Sequence, residues 1–241
     1  MELSKRLQAV ADFVTPGFTL ADVGCDHGYI PIYLTEREIC PHVIAMDVNE
    51  GPLMRAKQHV LEQPESLPID LLLSDGLKAL SPHQVQSVTI AGMGGALVMK
   101  ILSDSPEIVK ELEECILQPQ SELYKVRAFL LQEGFSIIDE NMVLEDGKYY
   151  PLMKVQPPKE QKEQRENWTP CELQFGRHLL LKQNQVLHQY LLRERQIKEQ
   201  VLRSIKGKEG DHIEKRIGEI SDELQLIKEA LGYYRKEEME C

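Results

Sequence analysis

Two features are missing from this chain of 241 residues, and each absence excludes a class of protein. No apolar run approaches the roughly 18 residues that a membrane-crossing helix needs. The amino terminus, Met1 to Leu7, has neither the apolar core nor the small-residue cleavage site of a secretory leader. We therefore expect a cytoplasmic protein that has no membrane partner.

Cysteine is scarce, and the few cysteines are not arranged in pairs. The chain has five, an odd number, and no Cys-x-x-Cys spacing occurs among positions 25, 40, 115, 171 and 241. Disulfide frameworks and zinc sites both need closely patterned cysteines. We therefore expect reduced thiols, as in a cytoplasm, and no metal site.

The formal net charge of −11 argues at first against nucleic acid as a partner, but the charge is unevenly distributed. Residues 1–158 carry 12 basic and 23 acidic side chains, whereas residues 159–241 carry 16 of each. Within the second part, residues 177–208 hold eight basic side chains and only two acidic ones. The sequence therefore predicts an acidic domain followed by an appendage with a basic surface.

The first part of the chain alternates between short apolar runs and longer helical stretches, which is typical of a parallel α/β sheet. Asp146-Gly147 joins the last two apolar runs, and Asp-Gly is a hairpin signal, so these two strands should be antiparallel neighbours. A parallel sheet that ends in a hairpin is the layout of class I methyltransferases. The predicted strands are 20–24, 43–47, 69–74, 87–91, 115–118, 135–144 and 149–155.

A polar, Pro-containing stretch over residues 156–167 marks a boundary, so we predict domains at 1–158 and 159–241. Two helical patterns follow, separated by the stretch 207–210, which begins and ends with glycine. The short connection favours an antiparallel helical hairpin over an intermolecular coiled coil, and we expect a monomer. The second pattern has an apolar heptad seam at Ile213, Ile217, Ile220, Leu224, Ile227, Leu231 and Tyr234. The first is less regular, with Leu187, Leu191, Ile197, Val201 and Ile205 on one side.

The first predicted strand leads into a turn that combines glycine with carboxylates. Asp22 and Asp26 flank Gly24, and His27 stands between Asp26 and Gly28. A loop that holds pyrophosphate offers backbone N–H groups and avoids carboxylates, because phosphate is anionic. A carboxylate-lined turn instead suits a cationic, phosphate-free ligand, and S-adenosylmethionine is the common one. Gly24 and Gly28 let the backbone approach such a cofactor.

The next two strands end in acidic residues that fit the same cofactor. Asp47, followed by Val48, stands about 20 residues after the loop, where a carboxylate can accept both ribose hydroxyls. Alternatively, Asp47 could be the N-cap of the helix that follows. Asp75, before Gly76, could accept the adenine amino protons, or it could belong to an ordinary Asp-Gly turn.

The fourth and fifth strands end in segments that could meet a substrate base. Gly92 and Gly94 would allow close approach of the backbone to a ligand, and Met93 could lie beside the methyl donor or simply fill the core. The amide of Gln118, before Pro119, could read the pairing edge of a base, although proline often only ends a strand. His27 could be a base, a stacking ring or a structural histidine.

Several short segments of the chain have unusual residue combinations. They are Leu3-Ser4-Lys5-Arg6-Leu7, Ala21-Asp22-Val23-Gly24-Cys25-Asp26-His27-Gly28-Tyr29 with Pro31, Gly51-Pro52, Asp75-Gly76-Leu77, Ile90-Ala91-Gly92-Met93-Gly94-Gly95, Ile116-Leu117-Gln118-Pro119, Asp139-Glu140 and Glu145-Asp146-Gly147-Lys148. On these segments the chain resembles, nearly from end to end, the bacterial tRNA (adenine-22 N1)-methyltransferases (TrmK type). It departs from them at Gln120, where we expect Asn, and at Gly28, where we expect Ala.

The resemblance implies a Rossmann-like domain with a helical coiled-coil domain after it, and methylation of N1 of adenine 22 in tRNA by S-adenosylmethionine. It makes Asp26 the first choice as stabiliser of the positive charge that grows on the adenine, with His27 and Met93 orienting the base. The implied contacts to tRNA come from Lys5, Arg6, Gln118, Pro119, Arg193, Arg195, Lys198, Arg203 and Lys206.

Other classes of function remain open from the sequence. The chain could methylate a small molecule or a protein, or a degenerate cofactor site could support a coiled-coil adaptor without catalysis. A nicotinamide oxidoreductase is disfavoured because Asp26 stands where a phosphate would bind.

Overall fold

The computed structural model describes residues 1–159, 166–206 and 210–234. The chain divides into two compact units, Met1–Asn167 and Trp168–Cys241. None of the described helices combines the length and the apolar character that a bilayer-spanning helix needs.

The first unit is built on a mixed sheet of seven strands in the order β3-β2-β1-β4-β5-β7-β6. Strands β1 to β5 are parallel, and β7 runs antiparallel to both β5 and β6. This Rossmann-like sheet with a terminal hairpin confirms the predicted class I methyltransferase layout. The strands are β1 (Leu20–Val23), β2 (Val43–Asp47), β3 (Ile69–Leu73), β4 (Ser87–Met93), β5 (Glu114–Pro119), β6 (Ser136–Glu145) and β7 (Lys148–Gln156).

Six helices in the described part of the first unit accompany the sheet, and a proline separates two of them. The chain ends α4 before α5 begins, because Pro106 cannot donate the backbone hydrogen bond that a continuous helix would need. The helices are α1 (Lys5–Ala11), α2 (Tyr29–Glu36), α3 (Glu50–Leu61), α4 (Gly95–Ser103), α5 (Pro106–Val109) and α6 (Leu123–Gln132).

Helix α1 packs its apolar face onto the start of the sheet. Val10, Ala11 and Val14 are buried in one cluster with Leu20 of β1 and Ile116 of β5. Each such side chain contributes on the order of 1.5–3 kcal/mol when it leaves water. This packing fixes the helix whose Arg6 reaches the site described below.

A buried ion pair and a partly buried one hold the β6–β7 hairpin in place. Arg127 of α6 donates to Glu140 of β6 at 2.8 Å, and both side chains are fully buried. Lys154 of β7 contacts Glu114 of β5 at 2.8 Å. Loss of one partner from a buried pair is costly, on the order of 3–5 kcal/mol, because it leaves the other charge without compensation. The hairpin is therefore rigidly joined to the sheet.

The second unit contains α7 (Pro170–Phe175), α8 (Arg177–Leu181), α9 (Gln185–Ile205) and α10 (Asp211–Gly232). The hydroxyl of Tyr234, after α10, donates to the carbonyl of Asn184, before α9, at 3.0 Å. Lys198 in the middle of α9 pairs with Glu223 of α10. These contacts place α9 and α10 antiparallel. The predicted connection at 207–209 lies outside the described residues, and the coiled-coil packing stays a prediction.

The predicted seam of α10 agrees with its burial, but the predicted face of α9 is partly wrong. Ile220, Ile227 and Leu231 of α10 are buried. On α9, Ile197 and Val201 are 42% and 37% exposed. Lys198 takes a half-buried position between them in sequence, because its ammonium reaches a carboxylate on α10. In this part of α9, the face turned towards α10 thus contains Lys198, whereas the predicted apolar residues are exposed.

Candidate active site

A cleft of about 320 Å³ opens where β1 and β4 end. Because strand order reverses between these two neighbours, the chain leaves a crevice at their carboxyl ends, which is where ligands bind in open α/β sheets. The cleft is lined by Arg6, Leu7, Asp22, Gly24, Cys25, Asp26, His27, Tyr29, Ile30, Ala91, Gly92 and Gln120. The sequence predicted six of these as site residues, namely Arg6, Asp22, Gly24, Asp26, His27 and Gly92.

The loop after β1 has a backbone that needs glycine at two positions. Gly24 and Gly28 have φ values of +77° and +71°, which a side chain would strain. A Cβ on Gly24 would lie 2.3 Å from Cε of Met93, and one on Gly28 would lie 3.2 Å from Cβ of Ala56 in α3. The loop is thus held between the end of β4 and the side of α3. Met93 covers the loop and is not part of the cleft lining.

Asp22 carries the buried carboxylate of the cleft. Its residue is 4% exposed, and its Oδ1 accepts a hydrogen bond of 2.5 Å from Oγ1 of Thr89, its register partner on β4. The pKa of Asp22 is raised to about 6, because burial outweighs the hydrogen bond from Thr89, which lowers it, and the carboxylate of Asp47 adds a smaller upward shift. No cation contacts Asp22 among the described residues, so this carboxylate can receive one from a ligand.

Asp26 lies at the rim of the same cleft in a different environment. Its side chain is 55% exposed, its Oδ1 accepts from Nη2 of Arg55 at 2.6 Å, and its Oδ2 lies 3.5 Å from Nε2 of His27. Its φ of +42° is left-handed, a conformation that Asp and Asn tolerate better than most residues. The two aspartates therefore differ, since one is buried without a cation and the other is exposed with one.

The other predicted carboxylates end β2 and β3 and do not line the cleft. Asp47 is 8% exposed, and its Oδ1 accepts from the backbone N–H of Asn49 at 2.9 Å. The alternative interpretation of Asp47 as a helix N-cap was wrong, because Asn49 takes that position before α3. Asp75 is paired with Lys78, whose ammonium lowers the pKa of the Asp75 carboxyl. Val48, between these strands, is 59% exposed.

The glycines at the end of β4 have separate roles. Gly92 has a left-handed φ of +78°, and its backbone N–H donates to Oε1 of Gln118 at 3.1 Å. Gly94 has an ordinary extended backbone as the N-cap of α4. Gly95 is needed for packing, because a Cβ there would lie 2.5 Å from the carbonyl oxygen of Ser121. Gly76, at the end of β3, is left-handed and packs on α4.

Gln118 is not part of the cleft lining. It is 1% exposed, and its Oε1 accepts hydrogen bonds from Gly92 and, at 3.2 Å, from Nη1 of Arg6. The oxygen is thus used internally and holds Arg6, whereas the buried Nε2 has no hydrogen-bond partner among the described residues. The reading of a base by this amide stays a prediction. Pro119 is buried as well, whereas Gln120 does line the cleft, and its backbone N–H donates to the carbonyl of Met93.

Arg6 is held from three directions. Besides Gln118, its guanidinium lies 5.5 Å from the centroid of the Tyr150 ring on β7. Its backbone N–H is 3.4 Å from Oε1 of Glu145 at the end of β6. The neighbouring Lys5 is exposed and lies outside the cleft lining.

The basic side chains of α9 that were predicted to contact tRNA differ in their exposure and in their ion pairs. Lys198 is the least available, since its side chain is 24% exposed and contacts Glu223 and Glu194. Arg195 and Arg203 each lie 3.9 Å from the carboxylate of Glu199, and Arg203 is 74% exposed. Arg193 of the helix and Lys206, the C-cap that follows it, are exposed.

Several cleft residues were missed by sequence reasoning. Leu7, Cys25, Tyr29, Ile30 and Ala91 line it because they neighbour predicted site residues along the chain. Arg55 and His59 reach the loop from α3, and no motif indicated this. All of the missed cleft residues named above except Ile30 lie within the segments that carried the family resemblance, which was the one available signal; they are Leu7, Cys25, Tyr29 and Ala91.

Comparison with known proteins agrees with this geometry. Residues 3–153 match the family model described as "Methyltransferase domain", which covers the sheet and the cleft. Together with the fold, this match defines the chain as a methyltransferase-domain protein.

Similarity to individual proteins shows which group of methyltransferases the chain belongs to. The chain is 29% identical to the tRNA (adenine(22)-N(1))-methyltransferase of Bacillus subtilis, over 97% of this chain and 98% of that protein. The crystal structure of B. subtilis TrmK is similar with a TM-score of 0.81 and 28% identity, over 95% of this chain and 98% of that chain. The Streptococcus pneumoniae protein Sp1610, in complex with S-adenosyl-L-methionine, is 33% identical with a TM-score of 0.83, over 95% of this chain and 100% of that chain. The chain belongs to the tRNA (adenine-22 N1)-methyltransferase family.

Asp22→Asn is expected to stabilise the unliganded protein above pH 6. The folded state has an Asp22 pKa of about 6 against an ordinary 3.8, so ionisation between these values favours unfolding. We expect a gain on the order of 2–3 kcal/mol at pH 7–8 that disappears below about pH 4. Denaturant unfolding across this pH range measures it.

Asp75→Asn is the control for this measurement, because the pKa of Asp75 is lowered by Lys78 and its removal should bring no gain at neutral pH. A gain from Asp22→Asn that is the same at pH 4 and pH 8 would contradict the proposed cause.

Proposed function

We propose that this chain transfers the methyl group of S-adenosylmethionine to N1 of adenine 22 in tRNA. The observation that carries the proposal is the end-to-end similarity to a tRNA (adenine(22)-N(1))-methyltransferase. The site supports it, because the cleft at the switch point contains a buried carboxylate that lacks a cation among the described residues.

The chemistry of the cleft residues fits this cofactor. The ionised Asp22 suits the cationic end of S-adenosylmethionine, and the left-handed Gly24 and Gly28 leave room for it at the backbone. Asp47 with Val48 would hold the ribose, since they follow β2, the neighbour of β1, and Asp75 with Gly76 would hold the adenine, since they follow β3, the next strand outward. Gly92 and Gly94 would keep the wall on the β4 side free of side chains. When bound, the cofactor supplies an activated methyl group on its sulfonium.

The protein's contribution to the reaction is positioning and charge. N1 of adenine has an in-plane lone pair, so it can attack without first losing a proton, and positive charge then grows on the ring. Asp26, exposed at the rim, would stabilise this charge, and His27 beside it would orient the base. Met93 holds the loop that carries both residues and would act on the base through it.

Binding of tRNA would use cations from both units. Arg6 lines the cleft and Lys5 is exposed beside it. Arg193, Arg195, Arg203 and Lys206 of α9 would contact the phosphate backbone, and Lys198 contributes less because of its ion pairs. We further propose that the protein acts as a monomer, since the apolar seam of α10 is covered by α9 of the same chain, and that it works in the cytoplasm.

The proposed function predicts labelling of tRNA at a single position. With methyl-labelled S-adenosylmethionine, unmodified tRNA should be labelled at adenine 22, whereas tRNA with guanine at 22 should gain no label, because guanine N1 carries a proton. Chromatography of the digested RNA measures the product. Equal labelling of both RNAs, or labelling of protein in their place, would overturn the assignment.

Substitution of Asp22 should impair cofactor binding, whereas substitution of Asp26 should impair catalysis. Asp22→Asn is expected to abolish most S-adenosylmethionine binding, because the buried charge that receives the cation is gone. Asp26→Asn should leave cofactor binding unchanged and lower kcat about 10- to 1000-fold, because a charge facing the transition state is lost. Asn tolerates the left-handed backbone at 26, so the loop is retained.

Calorimetry with S-adenosylmethionine and steady-state kinetics separate these effects. If Asp26→Asn weakens cofactor binding as much as Asp22→Asn does, Asp26 is a cofactor ligand and the division of roles is wrong.

Gln118 is expected to act through Arg6. Arg6→Ala should raise the KM for tRNA about tenfold, and Gln118→Leu should reproduce most of this rise because the guanidinium loses its buried acceptor. The double variant should be hardly worse than Arg6→Ala alone, as expected for residues that act as a pair. Kinetics with tRNA as the varied substrate measure the rise.

Arg37→Ala is the control, since it removes an exposed cation that follows α2 and lies outside the cleft lining. An additive double variant, or a Gln118→Leu variant that folds normally and retains the parent KM, would show that Gln118 does not position Arg6.

A further inference from the structure

Three aromatic rings from two helices and the first loop meet at the rim of the cleft. The ring centroids of His27, Tyr29 and His59 are 5.2–5.6 Å apart, and their planes differ by only 9–17°. Near-parallel rings at these distances are within the range of offset stacking. We call these three residues the ring cluster.

The ring cluster is fixed before any ligand binds. Nδ1 of His59 lies 2.9 Å from the carbonyl oxygen of His27, and because a carbonyl can only accept, this nitrogen carries the proton. Gly28, between the other two rings in sequence, packs against Ala56 of α3, which holds the start of α2 against that helix. The rings therefore lose little conformational freedom when a partner stacks on them.

The exposure of the cluster distinguishes it from core packing. Tyr29 is 39% exposed and the His27 side chain 37%, and both residues line the cleft. The Tyr29 hydroxyl makes no hydrogen bond within the described part of the chain. An aromatic ring that is ordered, exposed and free at its polar end has a face available for a planar partner.

We propose that the ring cluster is a stacking surface for a nucleobase of the RNA substrate, an inference that rests on the proposed function. Proteins recognise unpaired bases by stacking them on aromatic rings, and the base must leave its own stack to expose N1. Arg55, whose side chain is 49% exposed and contacts Asp26, adds a cation at the same rim for the RNA backbone. The stacked base is either the reacting adenine or a neighbour of it.

The test compares ring removal with ring retention. Tyr29→Leu is expected to raise the KM for tRNA about tenfold with an unchanged Kd for S-adenosylmethionine, and His59→Leu should raise it in the same direction. Tyr29→Phe keeps the ring and should behave as the parent does. His42→Leu is the matched control for His59→Leu, because both histidines are half-buried and His42 lies before β2, at the opposite end of the sheet from the cleft.

RNA variants identify the stacked base. If the stacked base is a neighbour of adenine 22, tRNA with an abasic nucleotide at position 21 or 23 should have a raised KM with the parent enzyme. Tyr29→Leu should then cause no further rise with that RNA. If it is the reacting adenine, both abasic RNAs behave as normal tRNA and Tyr29→Leu lowers kcat as well. Either pattern supports stacking of a nucleobase.

A binding measurement keeps the inference separate from methylation. A single-stranded D-arm oligonucleotide with 2-aminopurine at position 22 or at a neighbour should lose fluorescence on binding to the parent protein and less on binding to Tyr29→Leu. If binding to the parent protein leaves the fluorescence unchanged, the proposal that the ring cluster stacks a nucleobase is wrong, whether or not tRNA is methylated. Three kinetic results would also contradict the proposal. The first is a KM for tRNA that is the same for Tyr29→Leu and the parent, and the second is a loss of S-adenosylmethionine affinity in Tyr29→Leu as large as the rise in KM. The third is a Tyr29→Phe variant whose KM for tRNA is as high as that of Tyr29→Leu.

Discussion

The pairing of β1 with β4 is the constraint on which the site depends. These strands are far apart in sequence but parallel neighbours in the sheet, with Asp22 opposite Thr89. This register gives the buried carboxylate its only described hydrogen-bond donor and brings Met93 over Gly24. Strand order reverses here, so the loops after β1 and β4 separate and leave a cleft between them. A carboxylate, a glycine turn and a glycine-rich strand end thus become parts of one site.

The antiparallel hairpin supports the side of the cleft that Arg6 lines. A buried ion pair and a partly buried one fix β6 and β7 to the sheet, and the end of the hairpin reaches α1 through Glu145 and Tyr150. Arg6 is thereby held above Gln118, opposite the acidic loop. The cleft joins a carboxylate side that suits a cation with a guanidinium side that suits RNA. This distribution of charge fits a reaction in which a sulfonium and an RNA base must meet.

Much of the fold could be predicted because its signals are local. Strand alternation, the Asp146-Gly147 turn and the heptads of α10 depend on neighbours in sequence, and the structure agrees with each. The predicted face of α9 failed because an ion pair to α10 outweighed the apolar pattern. For Gln118, the sequence does not show that Arg6, 112 residues away, occupies its carbonyl oxygen. His59 carried no signal, since its partner is a backbone carbonyl on another element.

By itself, the sequence determined the class of fold, the glycine positions of the first loop and the cationic nature of the ligand, because backbone conformation and side-chain charge are properties of single residues. The tertiary structure decided what each charged group does. Asp22 and Asp26 are chemically identical in sequence, yet burial raises the pKa of one and Arg55 pairs with the other. Burial and pairing arise only when distant segments pack together, so the different environments of the two carboxylates could not be read from a local pattern.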